Sequence, residues 1–381
     1  MKTSIKIMSI FGTRPEAIKM APVILELEKH ENIQSLVTVT GQHRDQLDQV
    51  LSTYSISPKY DLNIMKKNQT LIDINTDILK KLDPILKEEK PDMILVHGDT
   101  STSFVAGLCA FYNQIPIGHV EAGLRSGDKY QPYPEEINRK LLTHISDLHF
   151  APTNLSAENL RKENIHNNIY ITGNTVIDAI GKNRNNNVSS LYMSGINSDS
   201  KIVLVTAHRR ENLGKPLENI CDAITYLSKK YVDLVFVYPV HLNPAVRETV
   251  FKKLTNNPKI ILTEPMDATT LHGLMEKSYL VLTDSGGLQE EAPFFKVPVV
   301  VLRDVTERPE GLTAGVLKLA GTNKEKIISV VSELIENENT YKVMKMAKNP
   351  YGDGKASQRI VQAIKYYFQL TNIPPEKFIW Q

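Results

Sequence analysis

Acidic and imidazole side chains recur together in the first half of the chain. His97-Gly98-Asp99-Thr100 follows the apolar run Met93–Val96, and His119-Val120-Glu121-Ala122-Gly123 follows Ile115–Gly118. Both runs read as strands, and the strand period of two aims a His and a carboxylate two residues apart in the same direction. If the two strands are neighbours, Asp99 and Glu121 converge. Two histidines with a carboxylate suit zinc or iron, whereas two carboxylates with separated pKa values suit acid–base work. Asp99, standing before Thr100-Ser101, would equally serve as the N-cap of a helix. The segment Gln131–Arg139 (QPYPEEINR) reads as a helix start with Pro at N1 and acids in its first turn, which is ordinary helix chemistry. Read functionally, it brings Glu135 to the same place, with Arg139 one turn later on the same face.

Other residues suit an anion. Gly12-Thr13-Arg14-Pro15-Glu16 ends the first apolar run, with Lys19 on the helix beyond. Arg14 and Lys19 beside a glycine turn and a helix N-terminus fit a pyrophosphate, although both would also do as solvated surface charges. In Leu280–Glu291 (LVLTDSGGLQEE) a strand-like run breaks at a glycine pair and a helix-forming sequence begins. There Ser285, Gly286 and Gly287 read as a phosphate cradle or as a plain strand-to-helix turn. His208, between Ala207 and Arg209-Arg210, is badly placed for a core and suits a phosphate or an acid, and Arg303–Glu310 adds a charged loop after another strand. Neither GxGxxG nor a Walker lysine pattern is present, so no nicotinamide or ATP site is indicated.

The elements that must position these groups are βα units. Apolar, β-branched runs alternate with longer amphipathic stretches throughout, the pattern of parallel sheets covered by helices. Strands are expected at Ile5–Phe11, Leu36–Thr40, Met93–His97, Ile115–Val120, Leu148–Ala151 and Ile169–Thr172 in the first half. The second half supplies Ile202–Thr206, Leu234–Tyr238, Lys259–Leu262, Tyr279–Thr283 and Val297–Leu302. Helical patterns include Pro15–His30, Leu71–Glu89 and Ser101–Tyr112. The Asn- and Ser-rich stretch Lys182–Ser200 has a linker composition and marks the expected domain boundary. A final helix near Lys355–Leu370 carries an apolar face of Ile360, Val361, Ile364, Tyr367 and Phe368. In such sheets ligands bind at the carboxyl ends of strands, which is where the groups above fall.

Composition narrows the class. A length of 381 residues exceeds what one core usually serves, and 41% hydrophobic with 23% charged residues is ordinary globular composition. A formal net charge of +2 gives no electrostatic footprint for nucleic acid or a membrane surface. Cys109 and Cys221 sit in apolar helical contexts and read as buried thiols. Residues Met1–Phe11 do not resemble a signal peptide, and no apolar run approaches the about 18 residues of a membrane span, so a cytoplasmic protein is expected.

Taken together, FGTRPEAIKMAP (11–22), HGDT (97–100), HVEAGLRSGD (119–128), PYPEEINR (132–139), TAHRREN (206–212), TDSGGLQEEAP (283–293) and RDVTERPEG (303–311) resemble the non-hydrolysing UDP-N-acetylglucosamine 2-epimerases. The match runs over nearly the whole chain, in the family's order and spacing. It implies α/β architecture with two doubly wound Rossmann-like domains in a glycosyltransferase-B-type fold, the UDP-sugar lying in an interdomain cleft. The domains are expected at 1–182 and 200–354, with 355–381 crossing back to the first. The implied reaction interconverts UDP-N-acetylglucosamine and UDP-N-acetylmannosamine by eliminating UDP to 2-acetamidoglucal and adding it back. No cofactor and no metal are needed. By resemblance, Asp99, Glu121 and Glu135 are the catalytic acids, with His208 counted beside them. Arg14, Lys19, Arg139, Met266, Leu271, Ser285, Gly286, Gly287 and Arg308 would contact UDP, and Glu291 the ribose. Relatives are mostly dimers, and their product usually feeds a surface polysaccharide. A UDP-sugar glycosyltransferase, or an epimerase that releases free N-acetylmannosamine, would share much of this pattern.

The chain also departs from its relatives. Leu271 stands where many of them place an aromatic near uracil. Gln42, His43, Arg44, Arg209 and His241 match a second, activating UDP-N-acetylglucosamine site found in many relatives, yet Asp45 and Asn68 replace Gln and Arg there. An acid facing a pyrophosphate, with a cation missing, predicts weakened or absent substrate activation.

Overall fold

The computed structural model describes residues 3–41, 44–66, 69–182 and 199–380. The chain divides into two compact units, one made of Met1–Ala179 with Tyr351–Ile379 and the other chiefly of Ile180–Pro350.

The first unit carries a seven-stranded parallel sheet. In chain order its elements are β1 (Ile5–Phe11), α1 (Arg14–Leu27), β2 (Ile33–Val39), α2 (Arg44–Thr53), β3 (Tyr60–Asp61), α3 (Leu71–Glu89), β4 (Met93–His97), α4 (Ser101–Tyr112), β5 (Ile117–Val120), α5 (Glu135–Ile145), β6 (Leu148–Ala151), α6 (Asn154–Lys162), β7 (Ile169–Ile171) and α7 (Thr175–Lys182). The spatial order is β3-β2-β1-β4-β5-β6-β7. The order reverses between β1 and β4, which opens a crevice at their carboxyl ends. The central strands β1 and β4 are buried on both sides, so their side chains divide between two cores: Ile7, Phe11 and Leu95 pack with α1, while Met8, Ile10, Ile94 and Val96 pack with α3 and α4. That two-sided burial is why the strands read as unbroken apolar runs.

The second unit contains β8 (Lys201–Thr206), α8 (Lys215–Lys230), β9 (Leu234–Pro239), α9 (Pro244–Leu254), β10 (Ile260–Thr263), α10 (Ala268–Glu276), β11 (Leu280–Thr283), α11 (Gly286–Glu291), β12 (Val299–Val301), α12 (Pro309–Thr313), β13 (Leu317–Leu319), α13 (Lys324–Glu336) and α14 (Glu338–Met346). Its six parallel strands run β10-β9-β8-β11-β12-β13, with a second reversal between β8 and β11. The chain then returns to the first unit, where α15 (Ala356–Tyr367) adds Ile360, Val361 and Ile364 to the core that holds α1.

The two doubly wound sheets are the α/β architecture expected from the alternating pattern. Two short strands, β3 and β13, escape that pattern, having too few residues to show a period, whereas β7 and β12, each of three residues, lie in the expected apolar runs Ile169–Thr172 and Val297–Leu302. Residues 183–198, most of the expected linker, lie outside the described residues. Among the described residues no helix is long and apolar enough to cross a membrane.

Candidate active site

The crevice of the first sheet is built by a buried carboxylate that has no catalytic pattern of its own. Glu16, in the first turn of α1, accepts the backbone N–H groups of Gly12 (3.1 Å) and Thr13 (2.8 Å) on Oε2. Its Oε1 accepts the hydroxyls of Thr100 (2.7 Å) and Ser103 (2.9 Å) at the start of α4. The turn that presents Arg14 is thereby fixed against the turn that presents Asp99. Thr100, not Asp99, is the N-cap of α4, its hydroxyl accepting from Ser103 N at 3.1 Å. Asp99 is released from helix capping, and the N-cap reading of that residue is corrected.

Three catalytic candidates come from two strand ends and one helix start. β4 and β5 are hydrogen-bonded neighbours, His97 standing beside Val120, so Asp99 and Glu121 share one edge. Gly98 takes φ +66° and ends the alternation there. His97 and Asp99 consequently part company: His97 Nε2 lies 3.7 Å from Glu121 Oε2, whereas the Asp99 carboxylate meets the guanidinium of Arg139. His119 turns Nε2 to the Gly98 carbonyl at 2.7 Å. Burial lowers His97 to about 4 and His119 to about 3, leaving both neutral at pH 7. Among the described residues no group of His, Cys, Asp and Glu has the arrangement of a metal site.

Asp99 and Glu121 differ in setting. Burial pushes Asp99 up to about 6; Arg139 opposes the rise, and Glu121 and Glu135 add to it. Its side chain nevertheless keeps 24% exposure, so a solute reaches it. Glu121, at φ +65° in the left-handed region, receives Lys19 Nζ and, at 3.0 Å, Asn174 Nδ2. Glu135 is the first residue of α5, with Pro134 at the N-cap where the sequence suggested Pro at N1. Its Oε2 is buried without a hydrogen-bond partner among the described residues. A buried oxygen so placed is costly unless a ligand meets it. Arg139 also contacts buried Glu136 at 3.2 Å, and Glu136 holds the loop before α5 through the N–H groups of Ser126 and Gly127. Arg14 is half-buried and forms no hydrogen bond or ion pair among the described residues, which leaves its cation available to an anion.

The second crevice lies between β8 and β11. Buried Asp284 accepts on Oδ2 the N–H groups of His208 and Arg209, each at 2.8 Å, and Asn212 Nδ2 at 2.9 Å. This fixes the loop after β8. The His208 ring stacks on that of His241 with centroids 5.0 Å apart, and burial lowers the His208 pKa against the opposing pull of Asp284. Ser285 caps α11, but its own N–H goes to Thr283 Oγ1 at 2.9 Å. The donors left to the turn are the N–H groups of Gly286 and Gly287, which have no acceptor within the helix. A Cβ on Gly286 would stand 3.6 Å from Arg308 Nη2 and 3.7 Å from Arg209 Nη2, so two guanidiniums flank the glycine turn. Arg308 is oriented by buried Glu290. Glu291 Oε2 meets His272 Nε2 at 3.0 Å, and Met266 and Leu271 line the adjoining apolar core.

The structure thus gathers Asp99, Glu121, Glu135, Arg139, Arg14 and Lys19 at the carboxyl edge of one sheet. It gathers His208, Arg209, Ser285, Gly286, Gly287 and Arg308 at the carboxyl edge of the other, with Glu291 at the far end of the short α11. Lys19, expected as an anion contact, is ion-paired with Glu121. Arg209 and His241, expected at an activating site, stand against Gly286 and His208. Gln42, His43 and Asn68 lie outside the described residues, as do the side chains of Arg44 and Asp45. Sequence reasoning missed Glu16, Asn174, His272 and Asp284. Only Glu16 carried a signal, standing three residues after the helix-capping Thr13.

The chain is similar to known proteins over nearly its whole length. The family model for UDP-N-acetylglucosamine 2-epimerase matches residues 25–365. The UDP-N-acetylglucosamine 2-epimerase of Bacillus subtilis is 51% identical over 375 residues, 98% of each chain. A Staphylococcus aureus MnaA structure with UDP is 53% identical at TM-score 0.89, covering 98% of this chain and all of that one. The Neisseria meningitidis UDP-GlcNAc 2-epimerase bound to UDP-GlcNAc is 48% identical at TM-score 0.86, covering 94% and 99%. With the family model matching most of the chain and these relatives about half identical over near-complete coverage, the chain belongs to the UDP-N-acetylglucosamine 2-epimerase family.

Proposed function

We propose that the protein epimerises UDP-N-acetylglucosamine and UDP-N-acetylmannosamine at C2 by eliminating UDP to 2-acetamidoglucal and adding it back with the proton delivered to the other face of C2, without releasing free N-acetylmannosamine. The proton on C2 is not adjacent to a carbonyl carbon, so departure of UDP leads and positive charge builds at C1. Arg14, Ser285, Gly286, Gly287 and Arg308 hold the departing diphosphate, with Arg209 beside Arg308 and Lys19 as a further cation. His208 donates to it or protonates it. Glu291, oriented by His272, takes the ribose, and Met266 and Leu271 border uracil. Asp99 is the principal base at C2, and Arg139 tunes its charge. Glu121 and Glu135 relay the proton on the opposite face or stabilise the cation at C1. The reaction draws on no cofactor.

The observation that carries this reading is Asp99: it stands at the strand end beside Glu121 and Glu135, reachable from solvent, and burial with those two carboxylates lifts it to about 6 against the opposing pull of Arg139. A base with a pKa near the working pH is suited to reversible proton transfer. The same reading takes 1–182 and 200–354 as domains with 355–381 belonging to the first, and the protein as a cytoplasmic homodimer whose product supplies a surface polysaccharide. The test is to incubate the protein with UDP-N-acetylglucosamine alone and follow all products. Equilibration of the two UDP-sugars without stoichiometric UDP is expected; UDP accumulating with free N-acetylmannosamine would sink the elimination–re-addition scheme.

A further inference from the structure

We infer that Asn174 is a positioning residue for Glu121, holding its carboxylate through a single side-chain N–H and tying it to the segment by which the chain re-enters the first unit; this rests on the proposed role of Glu121. Glu121 does not stand at its site by ordinary strand geometry. Its backbone lies in the left-handed region, at φ +65°, which a non-glycine residue occupies at a cost and which persists only where neighbours fix it. The neighbours converge on one oxygen. Oε2 meets Lys19 Nζ from α1, Asn174 Nδ2 at 3.0 Å from the turn after β7, and His97 Nε2 at 3.7 Å from β4. Lys19 has a flexible stem, and a neutral histidine at 3.7 Å is beyond hydrogen-bond range, so of the three Asn174 sets direction most firmly.

Asn174 is itself held at both its side chain and its backbone. It is 3% exposed. Its Oδ1 accepts Val176 N at 3.1 Å, closing the first turn of α7, and its own N–H donates to the Tyr351 carbonyl at 2.6 Å. Tyr351 is the first residue of the returning segment, and α7 is the helix through which the chain leaves the unit. The returning segment is fastened again five to six residues on, where Asp178 of α7 accepts Ala356 N, Ser357 N and the Ser357 hydroxyl. Both points at which the chain passes between units are thereby fixed to the residue that orients Glu121. The carboxamide does two separate things: its oxygen closes a helix turn, a structural task, while its nitrogen donates to the carboxylate.

That separation gives the test. Asn174→Asp keeps the shape, the cap to Val176 and the backbone bond to Tyr351, and exchanges the donor for a carboxylate about 3 Å from Glu121. Two carboxylates at that distance share a proton, so the variant recovers a donor only when acidified. Its kcat for epimerisation should be at least about tenfold below wild type at about pH 8, with KM within about threefold, and the variant-to-wild-type ratio should climb as the pH falls towards about 6. Taking the ratio cancels the titration of Asp99, common to both proteins. Asn174→Ser, which cannot reach Glu121, should lose kcat similarly with a ratio that stays flat with pH. Thermal unfolding and UDP binding report whether each variant is folded. A folded Asn174→Asp with wild-type kcat at about pH 8, or a lowered ratio independent of pH, overturns the inference. Glu121→Gln separates the two levels of the argument. If it retains wild-type activity, the role of Glu121 fails; if it is inactive while Asn174→Asp is unimpaired, only the role of Asn174 fails.

Discussion

Arg139→Gln probes whether the Asp99–Arg139 pair sets the working charge of the base. Asp99 stands at about 6 with Arg139 holding it down against burial. At pH 7 a carboxyl of that pKa is about nine-tenths ionised. A cation in contact lowers a carboxyl pKa by roughly 1 to 3 units, so removing it takes Asp99 to about 7 to 9 and leaves between about one half and one hundredth ionised. Epimerisation at pH 7 should fall by about 2- to 100-fold and return as the pH is raised, because the base must be deprotonated to act. The fold should survive, since Glu136 retains Ser126 N, Gly127 N and Lys140 Nζ at 3.4 Å. Stability responds in the same direction. Asp99 binds its proton in the folded state up to about 6, above its ordinary 3.8, so between those values the folded state holds the extra proton and stability declines as pH rises. The variant extends that decline upward, by less than full burial would give because the side chain is partly exposed. The assay is kcat/KM for epimerisation from about pH 5.5 to 9.5, beside UDP affinity. An acidic limb that stays where it is in wild type, with activity reduced equally at every pH, would refute the reasoning.

Three further outcomes follow from named contacts. Arg14→Ala removes a half-buried cation without an ion-pair partner among the described residues, so UDP affinity by calorimetry should weaken by about 10- to 100-fold with little change in thermal stability; unchanged affinity removes Arg14 from the diphosphate clamp. Asp284→Ala strips the acceptor from His208 N, Arg209 N and Asn212 Nδ2, and should cost about 2–4 kcal/mol in denaturant unfolding, with UDP binding weakened through the displaced His208 loop. Substrate kinetics should be hyperbolic in wild type, reflecting Asp45 and Asn68; a sigmoidal curve abolished by His241→Ala would show that the activating site is intact.

The fold was legible because both sheets are parallel and covered on both faces, so β1, β4 and β11 appear as apolar runs with the observed bounds to within a residue. The candidate groups were legible for a related reason: ligand-facing residues in such sheets follow the strands, and the motifs after β1, β4, β5, β8 and β11 stand there. What escaped was side-chain partnership across long separations. Asn174 meets Glu121 across 53 residues and Asp284 meets His208 across 76, and no local pattern encodes either. The position of Thr100 as N-cap was hidden because Asp and Thr are both good caps and only the turn at Gly98 decides between them. The division of His97 from Asp99 has the same origin, since a positive φ ends the alternation on which their pairing was reasoned.

Exchange at C2 in deuterium oxide, with UDP-N-acetylglucosamine as the sole added substrate, tests the central claim most directly. Mass spectrometry of the recovered UDP-sugars should show deuterium in both epimers from the wild-type protein, and none from Asp99→Asn while that variant binds UDP within about threefold of wild type. Epimerisation without deuterium at C2, or undiminished exchange by Asp99→Asn, would contradict the account.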